Sequence, residues 1–292
     1  MGYILYLALL LFVVIGVLIF TVLYYTDNRD KLGDINTELN SIDTNTEKLN
    51  SIDTELSNIS NQFVLNVSKG SIENYSVRNI FGWQENVPEY TNGLIPLWEN
   101  ATSYIYPTPP GLSMTITSQA SDDGGTVLIK GLDSDYNEIT ETATTSAGVP
   151  PVTTNLFYRI NDVIFTSTNG VNNDTITISN SVTDYAAIGP SVGRNQASIY
   201  TVPSNHSFYL YRIDAFSNDT NNTKPGVFQN YVRNSNSSVY TVARTTFSGN
   251  MNIQRRLPFK YNEKADIQFQ LAPYSGTHEM NVFGEGILVK EN

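Results

Sequence analysis

The sequence predicts a mainly β protein: an antiparallel β-sandwich or jelly-roll region preceded by an N-terminal transmembrane helix and a coiled-coil stalk. Three observations carry that expectation. Residues 3–25 contain no charged side chain. From Leu32 to Phe63, apolar residues recur at intervals of three and four. Beyond residue 112, apolar and polar residues alternate in short runs divided by Asn, Gly, Ser and Pro. The expected divisions are an anchor at 1–26, a stalk at 27–63, an irregular connector at 64–111, and β modules at 112–192 and 193–292.

The uncharged run is 23 residues long. At about 1.5 Å per residue it reaches roughly 34 Å, enough for a hydrocarbon core of about 30 Å. Tyr3, Tyr6, Tyr24 and Tyr25 sit at its two ends, where amphipathic rings favour the membrane–water boundary. A cleaved signal peptide would carry a basic leader, a shorter apolar stretch and a small-residue cleavage site. Nothing basic precedes this run, and Tyr24-Tyr25-Thr26 suits a peptidase poorly. The lipid bilayer is therefore the first expected partner. Arg29 and Lys31 mix with Asp27, Asp30 and Asp34 just beyond the run, so charge does not assign the side of the membrane.

The stalk reads Leu32, Ile35, Leu39, Ile42, a polar Thr46, then Leu49, Ile52, Leu56, Ile59 and Phe63. This is a heptad pattern with one three-residue step, the size of a stammer. The hexapeptide LNSIDT at 39–44 returns at 49–54, and the ten-residue offset of this repeat is one heptad plus three. Leu at most a positions and Ile at most d positions favour three or four strands over a parallel dimer. A second partner is thus the chain itself, as a trimer or tetramer. Gly, Pro and aromatic residues give the connector no regular period.

In the β region, Leu112–Thr117, Thr126–Leu132, Glu138–Thr144, Phe157–Thr166 and Thr175–Ser179 read as strands of the first module. Ser198–Pro203, Ser207–Phe216, Val239–Phe247, Asp266–Leu271 and Met280–Val289 read as strands of the second. Gly189, Pro190 and Gly193 mark the seam.

Composition excludes several chemistries. Without cysteine there are no disulfides, thiolate zinc sites or iron–sulfur clusters. The two histidines, His206 and His278, are far apart in sequence, expected at the surface, and build no multi-histidine centre. A net charge of −11 argues against nucleic acid as a partner. No cofactor is expected. Asp133, Asp135 and Asn137 match the first half of a calcium loop, but Glu138 stands where Gly is needed and Thr144 where Glu is needed; a hairpin turn uses the same residues to bond its own backbone. Asp122, Asp133, Asp135, Glu138 and Glu141 offer paired carboxylates for glycoside hydrolysis, and each is more simply a solvated acid. The expectation is that the chain is not an enzyme. Arg255, Arg256, Lys260 and Lys264 form a basic cluster suited to guarding a strand edge or to an acidic partner. Among the Asn-x-Ser/Thr sequences, Asn218 and Asn221 are the best candidates for glycosylation.

The segments TVLIKGLDSDYNEITETATT, PPVTTNLFYRINDVIFTS and IYTVPSNHSFYLYRI, with the ending PFKYNEKADIQFQLAPYSG…GILVKEN, resemble a β-rich module of virion structural proteins from marine phages and other aquatic DNA viruses. The resemblance spans about residues 112–292. It implies a virion component whose partners are other virion or capsid proteins, and it implies no active residues. The anchor and stalk depart from that module and suit a virus with an internal membrane. The expected function is a membrane-anchored virion structural protein that links or spaces a viral membrane and the capsid shell. Two rivals stand beside it. One is a receptor- or glycan-binding spike using loops near Tyr158, Tyr209 and Tyr211. The other is a cell-envelope protein.

Overall fold

The computed structural model describes residues 2–100, 102–168, 170–218, 225–235 and 238–291, without the side chains of 2–9 and 60. By contacts it comprises two units, Met1–Asn66 and Val67–Asn292.

The first unit belongs to one helix, α1 (Gly2–Ser68), so the anchor and stalk expected as separate elements are a single uninterrupted rod. At 1.5 Å per residue its 67 residues run about 100 Å. Threonine, an indifferent helix former, is accommodated by hydroxyls that donate to carbonyls four residues back: Thr37 to Gly33, Thr44 to Asn40, Thr46 to Ile42 and Thr54 to Asn50. The helix is long and apolar enough near its N-terminus to cross a membrane. It ends where Gly70 takes a left-handed φ of 68° and its N–H donates to the Val67 carbonyl.

The second unit contains fifteen strands among the described residues. They are β1 (Tyr75–Val87), β2 (Ile95–Pro96), β3 (Thr115–Thr117), β4 (Thr126–Leu132), β5 (Glu138–Thr144), β6 (Arg159–Thr166), β7 (Ile176–Ser179) and β8 (Asp184–Ile188). There follow β9 (Ile199–Thr201), β10 (His206–Ser217), β11 (Gly226–Arg233), β12 (Val239–Phe247), β13 (Asn250–Tyr261), β14 (Asp266–Pro273) and β15 (His278–Lys290). Among the described residues every strand pairing is antiparallel.

Four sheets enclose two hydrophobic cores. A small pair of sheets, β3-β7-β8 and β5-β4-β6, buries Met114, Ile129, Phe157, Val163 and Ile178. A large pair, β1-β15-β10-β13 and β12-β11-β14-β2 with β9 beside β14, buries Phe208, Phe228, Tyr261, Phe269 and Val282. Close packing sets the residue choice on β15. A Cβ on Gly284 would lie 2.3 Å from the Phe269 ring, and one on Gly286 would lie 2.4 Å from the Phe208 ring. In β10 a bulge between Leu210 and Arg212 shifts the alternation, so that Phe208 and Leu210, then Ile213 and Ala215, all face the core.

One expectation needs correction here. The connector at 64–111 is not irregular throughout, because it holds β1, whose register with β15 runs from Tyr75↔Val289 to Val87↔His278. Its inward face carries Ile80, Gly82 and Gln84, while the bulky Phe81 points outward, so the usual apolar alternation is muted. The expected seam at Gly189, Pro190 and Gly193 falls between β8 of the small pair and β9 of the large pair. The Asn172 side chain donates to the Gly189 carbonyl (2.7 Å) and accepts from the Gly193 N–H (2.9 Å), tying the segment to the small pair.

Candidate functional site

The densest polar constellation lies where the two sheet pairs meet. Arg159 opens β6 of the small pair, and Asp266 opens β14 of the large pair; their side chains are 4% and 3% exposed. The guanidinium grips the carboxylate with both prongs, Nε to Oδ1 at 2.7 Å and Nη2 to Oδ2 at 3.1 Å. Arg233 on β11 reaches the same Oδ2 from Nη2 at 2.6 Å and from Nε at 3.0 Å. The Thr201 hydroxyl donates to Oδ1 at 2.6 Å. Four tyrosines surround this triad. Arg159 lies 4.0 Å from the Tyr158 ring centroid, 4.5 Å from that of Tyr106 and 5.7 Å from that of Tyr136, and Arg233 lies 4.4 Å from Tyr106. The fourth, Tyr104, meets Tyr106 edge to face and donates its hydroxyl to the Tyr185 carbonyl of β8.

The electrostatics explain why the charges persist there. Burial works against the Arg159 cation, but the hydrogen bonds and charge of Asp266, with the Tyr136 and Tyr158 phenols, hold it above its ordinary value. Burial pushes the Tyr136 phenol up to about 12, and the Tyr104 and Tyr106 phenols upward as well. All three therefore stay neutral at physiological pH and serve as ring walls. A joint of this kind fixes geometry, because removing either partner would strand a buried charge. Around it, Asn161 exchanges two hydrogen bonds of 2.8 Å with the Thr201 backbone, and the Ser204 N–H donates to the Tyr136 carbonyl.

Beside this joint opens a polar cleft of about 440 Å³ between β1 and the β4–β5–β6 sheet. Arg78, Lys130 and Arg194 bring positive charge to it, and Glu138 and Asp162 negative charge. Asp162 lies 2.7 Å from the Arg194 Nε and 3.5 Å from the Lys130 Nζ, and Arg78 lies 3.6 Å from Glu138.

The residues singled out by sequence fall as follows. Asp133 forms a turn: its Oδ1 accepts from the N–H groups of Asp135 and Asn137, both at 2.9 Å, and its Oδ2 from the Asn137 amide at 3.2 Å. Among the described residues no group of three or more His, Asp or Glu side chains gathers for a metal. Asp122 is not a solvated acid; it is buried and receives the N–H groups of Asn173 and Asp174. His206 and His278 are half-buried at strand starts, not free at the surface, and each donates from a ring nitrogen to a nearby carbonyl, of Ser204 and of Ser275. Tyr209 and Tyr211 lie within β10, and Tyr158 lines the charged joint, so these three do not share a loop. Arg255 stacks on Phe259 at 3.8 Å, in a stretch of β13 that has no register partner on β10. Asn218 donates its amide to Glu279 at 3.0 Å, and Asn221 lies outside the described residues. The side chains of Tyr3 and Tyr6 also lie outside them, while Tyr24 and Tyr25 are exposed.

On the helix, Leu32, Ile35, Leu39, Ile42, Leu49, Ile52, Leu56 and Ile59 are each between 53% and 66% exposed in the single chain. Sequence reasoning found this stripe and missed the joint. Arg159 and Asp266 are 107 residues apart, and no local pattern links them.

No protein-family model matches the chain, and no curated protein does. Among solved structures, infectious bursal disease virus of the Gx strain aligns over 75% of this chain and 72% of its own at 10% identity, with a TM-score of 0.18. Infectious bursal virus derived T=1 particles align over 75% of each chain at 8% identity, with a TM-score of 0.15. Likenesses that slight carry no argument about this chain.

Proposed function

We propose that the chain is a single-pass, membrane-anchored virion structural protein that links or spaces a viral membrane and a capsid shell. The observation that carries this reading is α1. Its apolar beginning suits a bilayer, and its stalk leaves eight Leu and Ile side chains uncovered at heptad spacing. Burial is worth about 1.5–3 kcal/mol for each such side chain. Eight per chain together match or exceed an association cost of roughly 4–15 kcal/mol. The stalk is thus a coiled coil of three or four copies that holds the β region off the membrane.

The two sheet pairs are sandwiches of jelly-roll type that meet other virion proteins. The resemblance of residues 112–292 to virion structural modules supports the virion assignment. The work is cohesive, and no bond is made or broken. Cryo-electron microscopy of intact particles tests it. The expected density crosses an internal membrane and leads to β domains beneath or within the shell. Absence of the chain from particles, or β domains standing free beyond the shell, overturns the reading.

A further inference from the structure

The geometry points to the cleft between β1 and the β4–β5–β6 sheet as a binding site for an acidic sugar. This goes beyond the anchoring role and does not rest on it. The volume, about 440 Å³, is within the usual range of small-ligand sites. Its charge is selective: Arg78, Lys130 and Arg194 face two carboxylates, Glu138 and Asp162, leaving one positive charge in excess inside a chain of net charge −11. A bare dianion would meet those two carboxylates, and a neutral sugar would leave the excess cation uncompensated. A hydroxyl-rich ligand with one carboxylate satisfies both, its hydroxyls donating to Glu138 and Asp162 and its carboxylate accepting from the cations.

A separate observation points the same way. Tyr200, which lines the cleft, is only 6% exposed, and its hydroxyl is sealed from water without a hydrogen bond. The Arg78 guanidinium stands near enough to oppose the upward push of burial on this phenol. Natural folds rarely leave such a group unmet, and a ligand oxygen would meet it once the side chains covering it turn aside on binding. The Lys130–Asp162 and Arg78–Glu138 pairs, at 3.5 and 3.6 Å, are likewise too loose to use up their donors.

The test titrates the full-length chain in detergent with D-glucuronate, D-glucose and acetate, read by isothermal calorimetry and saturation-transfer NMR. Glucuronate should bind in the millimolar range, with glucose and acetate each weaker by about tenfold or more. Lys130→Ala and Arg194→Ala should each weaken glucuronate by about tenfold. Tyr200→Phe should weaken binding while the melting temperature holds or rises, since an unmet buried hydroxyl is removed. That pairing separates loss of a ligand contact from loss of fold. Glucuronate binding no tighter than acetate or glucose, or unchanged in Lys130→Ala, overturns the inference, as does no saturation at tens of millimolar.

Discussion

Asp266 has the most to lose from a single change. It is buried and shared by Arg159, Arg233 and Thr201. Asp266→Asn keeps the volume and leaves two adjacent guanidinium groups without a counter-charge. The expected cost is about 3–5 kcal/mol, measured by denaturant unfolding of the full chain in detergent. Glu99 gives a pH-dependent test. Burial raises its carboxyl above the ordinary range, and its Oε1 has no hydrogen-bond partner. A raised folded value means the folded state prefers the proton, so stability falls as pH rises from the ordinary carboxylate value through the raised one. Glu99→Gln should therefore raise the melting temperature at pH 7 and leave it unchanged well below the carboxylate range. Neither residue announces itself in the sequence. Their roles come from contacts across long stretches of chain, and a carboxylate destined for burial looks like any other Asp or Glu.

Elements were legible in proportion to their periodicity. The stalk stands out because Leu and Ile recur over four turns and more, β4 and β14 because their runs are short, largely apolar and bounded by turns, and β5 because it alternates strictly between the two turns that flank it. β1 was hidden by Gly82 and Gln84 on its inward face, and β13 by the unpaired Arg255–Pro258 stretch that breaks its alternation. β11 was missed although its pattern Gly-Val-Phe-Gln-Asn-Tyr-Val-Arg is largely buried, because the polar Asn230 faces inward to the Tyr261 hydroxyl at 2.6 Å. The elements themselves supply two tests. Ile80→Ala on β1 should cost about 2–5 kcal/mol in denaturant unfolding, since the side chain is buried in the large core. On the stalk, Ile42→Asp combined with Leu56→Asp puts a carboxylate into the apolar stripe on either side of the three-residue step. On the proposed coiled-coil reading the pair should give a monomer in sedimentation velocity where the parent chain is oligomeric, while leaving β-region unfolding unchanged.

For the whole molecule, the ten-residue repeat is a built-in ruler. Removing residues 40–49 deletes Thr46 and the three-residue step together, leaving Leu39 followed at unbroken 3/4 spacing by Ile52, Leu56, Ile59 and Phe63. The shortened helix loses about 15 Å. On the proposed reading the gap between membrane and shell should narrow by that amount, as cryo-electron microscopy of particles would measure.

The pairing of β1 with β15 sets a timetable as well as a shape. Phe81 lies opposite Phe283, so an early strand waits for a partner about 200 residues later in the chain. At a synthesis rate of about 5–20 residues per second, that wait is roughly 10–40 s. The apolar segment of α1 leaves the ribosome well before then, so on the proposed reading the chain is tethered while its large core is still open. During that interval β1 has only its muted inward face and outward Phe81 to offer, and a strand of weak stickiness is the safer one to keep waiting unpaired.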